Sequence, residues 1–233
     1  MHLLLTNDDG IDAPGLAALE RAFADQATLT VVAPHEGYSG CGHQVTYRAD
    51  LQVEQLSERR FKVFGTPADC TRVGLTALAK NVDFVLSGIN EGGNMGVDVY
   101  MSGTIAAARE AVWLGTPGIA FSQYFRIERQ RDWDKAARMA VLAFDSIQSQ
   151  IQSGGEAAFW SVNFPDVDTP VEELKLVDTF VEPNHMPIAF EHVEGSTYAL
   201  RTDYRNRKRT AGSDVETCMG RGDISISRVV SKP

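Results

Sequence analysis

Residues 1–10 read MHLLLTNDDG, a short apolar run from Leu3 to Leu5 that stops at Asn7, two aspartates and a glycine. An apolar run closed by turn residues is the pattern of a strand buried on both faces. Pro14 then stands where a first helical turn accepts proline, and Leu16, Leu19 and Phe23 follow at helical spacing. The order is strand, loop, helix. The same unit returns at ATLTVVAP, residues 27–34, and at VDFVLSGIN, residues 82–90. The helix before the latter opens with Thr66, Pro67 and Asp69, close to a capping box. A further helix near Thr104 to Trp113 closes at Gly115, and TPGIAFS supplies the next strand. Apolar strands alternating with helices predict an α/β fold, a mostly parallel sheet with helices on both faces.

Between the second strand and the Thr66 helix, HQVTYRADLQVEQLSERRFKVFG alternates in the strand period through Val45, Tyr47, Leu51, Val53, Phe61 and Val63. This predicts an antiparallel insertion near residues 44–65. A helix over Trp133 to Ile151 precedes the strand AAFWSVNFPD, and the charged, turn-rich remainder alternates weakly in DISISRVV. The expected organisation is a core over residues 1–168 and a C-terminal α+β extension over 169–233.

Net charge is −9 and 43% of the 233 residues are hydrophobic, enough for one large core and unfavourable for general attraction to nucleic acid or anionic membrane. The cysteines, Cys41, Cys70 and Cys218, are odd in number and form no CxxC pair, which fits reduced thiols. No run approaches the ~20 apolar residues of a membrane span and the N-terminus lacks a leader pattern, so the expectation is a cytoplasmic protein.

In an open parallel sheet, ligands gather beyond the carboxyl ends of the strands. Asn7, Asp8, Asp9 and Gly10 follow the first strand, Ser39 and Gly40 the second, and Ser87, Gly88, Ile89 and Asn90 the third. An Asp-Gly pair alone is most often a turn. At a buried sheet edge, however, two adjacent carboxylates repel unless a proton or cation lies between them. With Ser39 and Asn90 as neutral oxygen donors, and no HxH or HExxH pairing among the five histidines, the set selects a hard cation over zinc. His35 and His43 flank Ser39 as acid or base candidates, solvated loop residues being the plainer reading. Downstream, SGINEGGNMGVDVYMSGTIAAARE places Ser102, Gly103 and Thr104 at a helix start, which reads as an N-cap or as an anion site. The basic run RTDYRNRKR, residues 201–209, reads first as a solvated hairpin face and second as a nucleic-acid contact.

The sequence resembles the survival protein SurE family of metal-dependent nucleotidases. The resemblance rests on LLTNDDG with APG behind it, VVAP followed by SG, GTPADC, SGIN, GGNMG with SGT after it, and LGTPGIA, all in family order. VNFPD and GDISIS are weaker echoes. It implies a Rossmann-like core with a C-terminal extension exchanged between subunits of a homodimer or homotetramer. It also implies hydrolysis of nucleoside 5'- and 3'-monophosphates, extending in some members to short polyphosphate. The family's metal ligands fall on Asp8, Asp9, Ser39 and Asn90, and its phosphate-side residues on Asn94, Ser102, Gly103 and Thr104.

The expected chemistry is one divalent cation per subunit, Mg2+ or Mn2+ with Ca2+ as an alternative bound ion, and a metal-activated water attacking phosphorus. Asp8 and Asp9 are the catalytic pair of that reading. Where the family carries an arginine between VVAP and SG, this chain has His35-Glu36-Gly37-Tyr38, and Met101 replaces the tyrosine before SGT. Substrate preference is the property those departures touch. The rival readings are a catalytically silent nucleotide binder and an RNA-associated accessory protein. The intact acidic pair opposes the first, and the net charge opposes a stable nucleic-acid partner.

Overall fold

The computed structural model describes residues 1–126, 128–151 and 158–230. Among them, nine strands form one mixed sheet in the order β3-β4-β2-β1-β5-β6-β7-β11-β8, and β9 and β10 form a separate antiparallel pair. The central strands are β1 (His2–Thr6), β2 (Thr28–Pro34), β5 (Phe84–Glu91), β6 (Gly118–Gln123) and β7 (Ala158–Phe164), each parallel to its neighbour. The helices are α1 (Pro14–Phe23), α2 (Pro67–Val73), the single turn α3 (Asp98–Met101), α4 (Gly103–Trp113) and α5 (Trp133–Ile151). This is the α/β sheet that the alternating apolar runs predict.

Strand alternation sends neighbouring side chains of β1 to opposite layers. Leu3 and Leu5 pack with Leu16, Leu19 and Phe23 of α1 and with Phe144 of α5. Leu4 packs the other way, with Val32, Val63, Val85 and Cys70 of α2. All three leucines are fully buried, so β1 is the hub of both layers. α1 lies close to β5 because residue 15 is a glycine: a Cβ there would fall 1.9 Å from the carbonyl oxygen of Ile89. α2 begins in the capping box expected of Thr66 and Asp69, each closing on the other's backbone amide.

Two elements differ from their expected extents. Over the insertion, only β3 (Val53–Ser57) and β4 (Arg60–Val63) form strands; they are antiparallel to each other, and β4 joins the main sheet parallel to β2. Residues 44–52 are irregular, and Thr46 gives its amide and hydroxyl to the Asp69 carboxylate. β5 runs past Leu86 to Glu91, with a register shift between Ser87 and Asn90, so SGIN lies inside the strand.

Beyond β7 the chain returns to the sheet twice. β8 (Leu176–Thr179) pairs parallel with β11 (Ile224–Val230), and β11 pairs antiparallel with β7. Between them, β9 (Ile188–Glu194) and β10 (Thr197–Thr202) carry exposed Ile188, Phe190, Val193, Tyr198 and Leu200. Among the described residues no helix is long and apolar enough to cross a membrane.

Glu182 ties this segment together. Its carboxylate accepts from the Thr210 amide and hydroxyl, the Ser213 hydroxyl, and the amide and side chain of Asn184. Burial alone would raise its pKa; those donors overcome it and hold the carboxyl down, to about 2. A folded-state pKa below the unfolded value contributes stability that is present above the ordinary glutamate range and lost as pH falls toward 2. Glu182→Gln is therefore expected to lower unfolding free energy by about 2 kcal/mol near neutral pH. Denaturant titrations of both proteins should show that gap closing below pH 4.5; a gap independent of pH would contradict the assignment.

Candidate active site

The first strand ends at Thr6, and the next three residues turn along the carboxyl edge of the sheet. The Asn7 side chain donates to the Gly10 carbonyl at 2.8 Å, closing the turn and leaving its own Oδ1 buried without a partner. Asp8 is buried, and Asp9 is half-buried beside it. Asp8 accepts a short hydrogen bond from the Thr104 hydroxyl. Asp9 accepts from the Glu91 amide at 3.1 Å. Burial first, and then the neighbouring Asp9 charge, push the Asp8 carboxyl up to about 6 against the opposing Thr104 bond. Burial also raises Asp9, against the Glu91 amide, with the Glu91 charge adding to the rise. Neither carboxylate has an ion-pair partner among the described residues.

Ser39 and Asn90 are each one residue from a backbone group bonded to the pair. The Tyr38 amide donates to the Asp8 carbonyl at 2.7 Å, which sets exposed Ser39 one residue away. Asn90 is in β5, next to the Glu91 amide that holds Asp9, and its Nδ2 donates to the Gly92 carbonyl. That bond engages the amide's donor end, and the oxygen is its acceptor end. Among the described residues no three His, Cys, Asp or Glu cluster together as a metal site would need.

The residues set on the phosphate side divide in two. Ser102 caps α4, accepting from the Ile105 amide at 3.2 Å, and the helix start lies against Asp8. Gly103 is required by that approach: a Cβ there would meet Asp8 Cβ at 2.9 Å, Cys41 Sγ at 3.0 Å and Asp8 Oδ2 at 3.1 Å. The Thr104 hydroxyl, by contrast, is engaged with Asp8. Asn94 is also buried, its amide on Asn163 Oδ1 and its side-chain nitrogen on Ser122 Oγ, both at 2.8 Å. Two further residues border the pair, Cys41 in the loop that departs from the family pattern and Arg131, which the sequence does not single out. Cys41 borders Asp8 through Gly103, and Arg131 pairs with Glu91 at 2.8 Å, bringing a guanidinium to the residue after Asn90.

His43 is not a solvated loop residue. Its Nδ1 receives the Arg109 Nε–H at 2.9 Å, so the ring proton sits on Nε2, which donates to Glu110 at 2.6 Å. The ring also stacks on Trp113. Burial would raise the Glu110 carboxyl, but the His43 and Arg72 hydrogen bonds together lower it. The loop carrying Ser39 is thereby anchored to α4. His35 stacks on Phe64 and pairs with Glu36. The basic run is largely engaged within the chain: Arg207 is buried against Asp98 and Tyr204, Arg205 faces Glu128, and Arg201 pairs with Glu191.

An α/β sheet with a carboxylate pair at its carboxyl edge and a helix start packed against it has the layout in which α/β proteins bind ligands. Comparison with known proteins names the family. The survival protein SurE profile matches residues 3–183, and the chain belongs to the SurE family. A Nostoc relative is 40% identical over 230 residues, covering 98% of this chain and 99% of its own. The protein called 5'-nucleotidase SurE in Brevibacillus brevis is 39% identical, with 88% of this chain and 80% of its own covered. The crystal structure of SurE protein from Aquifex aeolicus superposes with a TM-score of 0.84 at 29% identity, covering 99% of this chain and 93% of that one.

Removing the Glu110 carboxylate would strip the His43 ring and Arg72 of their shared acceptor. Glu110→Ala is expected to cost about 2 kcal/mol of stability. Thermal unfolding checks this; an unchanged midpoint would mean that the loop is anchored elsewhere.

Proposed function

We propose that this chain is a divalent-metal-dependent phosphomonoester hydrolase, a nucleotidase of the SurE type acting on nucleoside 5'- and 3'-monophosphates and on short polyphosphate. One observation carries the reading: Asp8 and Asp9 are packed together at the sheet edge without a neutralising side chain among the described residues. A cation is the economical remedy for such a pair, and the all-oxygen donor set suits Mg2+ or Mn2+, with Ca2+ as an alternative occupant. The curated relatives named 5'-nucleotidase support the substrate class.

Asp8, Asp9, Ser39 and Asn90 would hold one ion per subunit. Bound there, it supplies Lewis-acid polarisation of a phosphoryl oxygen and a water of lowered pKa. The chain's own groups do the rest. The Thr104 hydroxyl fixes one Asp8 oxygen, the Glu91 amide fixes Asp9, and the missing side chain of Gly103 lets the start of α4 pack directly against Asp8. At the start of α4, where Ser102 holds the first turn in shape, the amides without intrahelical partners would take up developing phosphoryl charge. Asn94, braced by Ser122 and Asn163, is assigned to the same anion.

Residues 1–168 are proposed as the catalytic core and 169–233 as an oligomerisation arm. The exposed apolar side chains of β9 and β10 support a homodimer or homotetramer. The three free thiols fit a cytoplasmic setting.

Phosphate release from an aryl phosphate, the nucleoside monophosphates and short polyphosphate, each with Mg2+, Mn2+ or chelator, tests the proposal. Chelation should abolish turnover, and Asp9→Asn should lower kcat at least about 100-fold, several kcal/mol of lost transition-state stabilisation. Turnover indifferent to both would refute it. Metal-dependent nucleotide binding without turnover would favour the silent binder.

A further inference from the structure

Beside the carboxylate pair, on the side where the loop departs from the family pattern, three aromatic rings gather with no role in phosphate chemistry. The His35 and Phe64 rings stack at 4.6 Å with an interplanar angle of 27°, and Tyr38 stands edge-on to His35 at 6.0 Å. Phe64 is 39% exposed, high for a phenylalanine that packs on a ring. Sequence periodicity does not join these residues; sheet order does. His35 follows β2, Phe64 follows β4, and the His35 amide donates to the Val63 carbonyl at 2.8 Å. β2 is the immediate neighbour of β1 and β4 the next one out. At about 5 Å per strand, the strands that carry the rings lie one and two spacings from β1, after which Asp8 and Asp9 follow.

The loop between them is held against that end. A Cβ on Gly10 would lie 3.2 Å from the Glu36 carbonyl carbon, and the Tyr38 amide is bonded to the Asp8 carbonyl. The loop that carries His35 and Tyr38 is thus tied by its backbone to the turn that carries the carboxylates.

We infer that Phe64 and His35 form a stacking platform for the nucleobase, making them specificity-determining residues for nucleoside monophosphates over baseless phosphate esters. Aromatic faces bind bases through stacking with little regard to sequence or edge pattern, so the platform selects for the presence of a base. This inference rests on the nucleotidase reading, and its test separates the two.

Steady-state hydrolysis of adenosine 5'-monophosphate and ribose 5-phosphate is compared in the wild-type protein, Phe64→Ala, Phe64→Tyr and His35→Ala, with Mn2+. Calorimetric binding of both compounds is measured in parallel. In the wild type, kcat/KM should favour the nucleotide, and Phe64→Ala should reduce that preference about tenfold, chiefly through the nucleotide KM. His35→Ala should reduce it less, and Phe64→Tyr, which keeps the ring, should retain it. Equal treatment of the two substrates by wild type, or a preference unaltered in both alanine variants, overturns the platform while leaving the hydrolase intact. If the wild type hydrolyses neither compound, the nucleotidase reading fails and binding alone decides the platform: tighter nucleotide binding that Phe64→Ala abolishes supports it, and equal binding of the two compounds overturns it.

Discussion

Two like charges are kept within the edge of a low-dielectric sheet, and much of the surrounding architecture serves to hold them there. Asp8 and Asp9 follow a strand whose three leucines are fully buried in two different layers, so the chain has little freedom to move them toward water. Hydrogen bonds from Thr104 and Glu91 orient the carboxylates and lower their charging cost, yet both remain harder to ionise than ordinary aspartates. Oriented but uncompensated carboxylates store a demand for positive charge that side chains in the described structure leave unmet.

The elements around the pair can be understood as supports for it. Gly15 lets α1 pack directly on β5 at Ile89, one residue before Asn90. Gly103 lets α4 begin against Asp8, which turns the helix start toward the same point. The loop after β2 is tied at both ends, by Tyr38 to the Asp8 carbonyl and by His43 to Glu110 and Arg109. Rigid supports of this kind matter because a site that acts through positioned charge loses its effect when its dipoles can reorient.

Much of this was legible in the residues alone. The apolar runs and helical spacings specify the parallel core, since each strand buried on both faces leaves a continuous hydrophobic signature. The Thr66 and Asp69 capping box is equally local, and it forms as its spacing requires. What could not be read depends on distant partners. Val45 and Tyr47 alternate like a strand, but no strand pairs with them, and Asp69 claims the Thr46 amide. His43 looks like a loop residue until α4 brings Glu110 and Arg109 to its two nitrogens. The bond from Thr104 to Asp8 spans 96 positions, and no periodicity encodes it. Arg207, within a run that reads as a solvated basic face, is buried because Asp98 lies opposite.

The carboxylate pair is proposed to hold a cation. Calorimetric titration of Mn2+ into the metal-free protein tests it directly, without substrate or turnover. One ion should bind per chain in the wild type, with heat reduced to dilution levels in Asp9→Asn at the same concentrations. No saturable binding to the wild type, or equal binding to the variant, would contradict it.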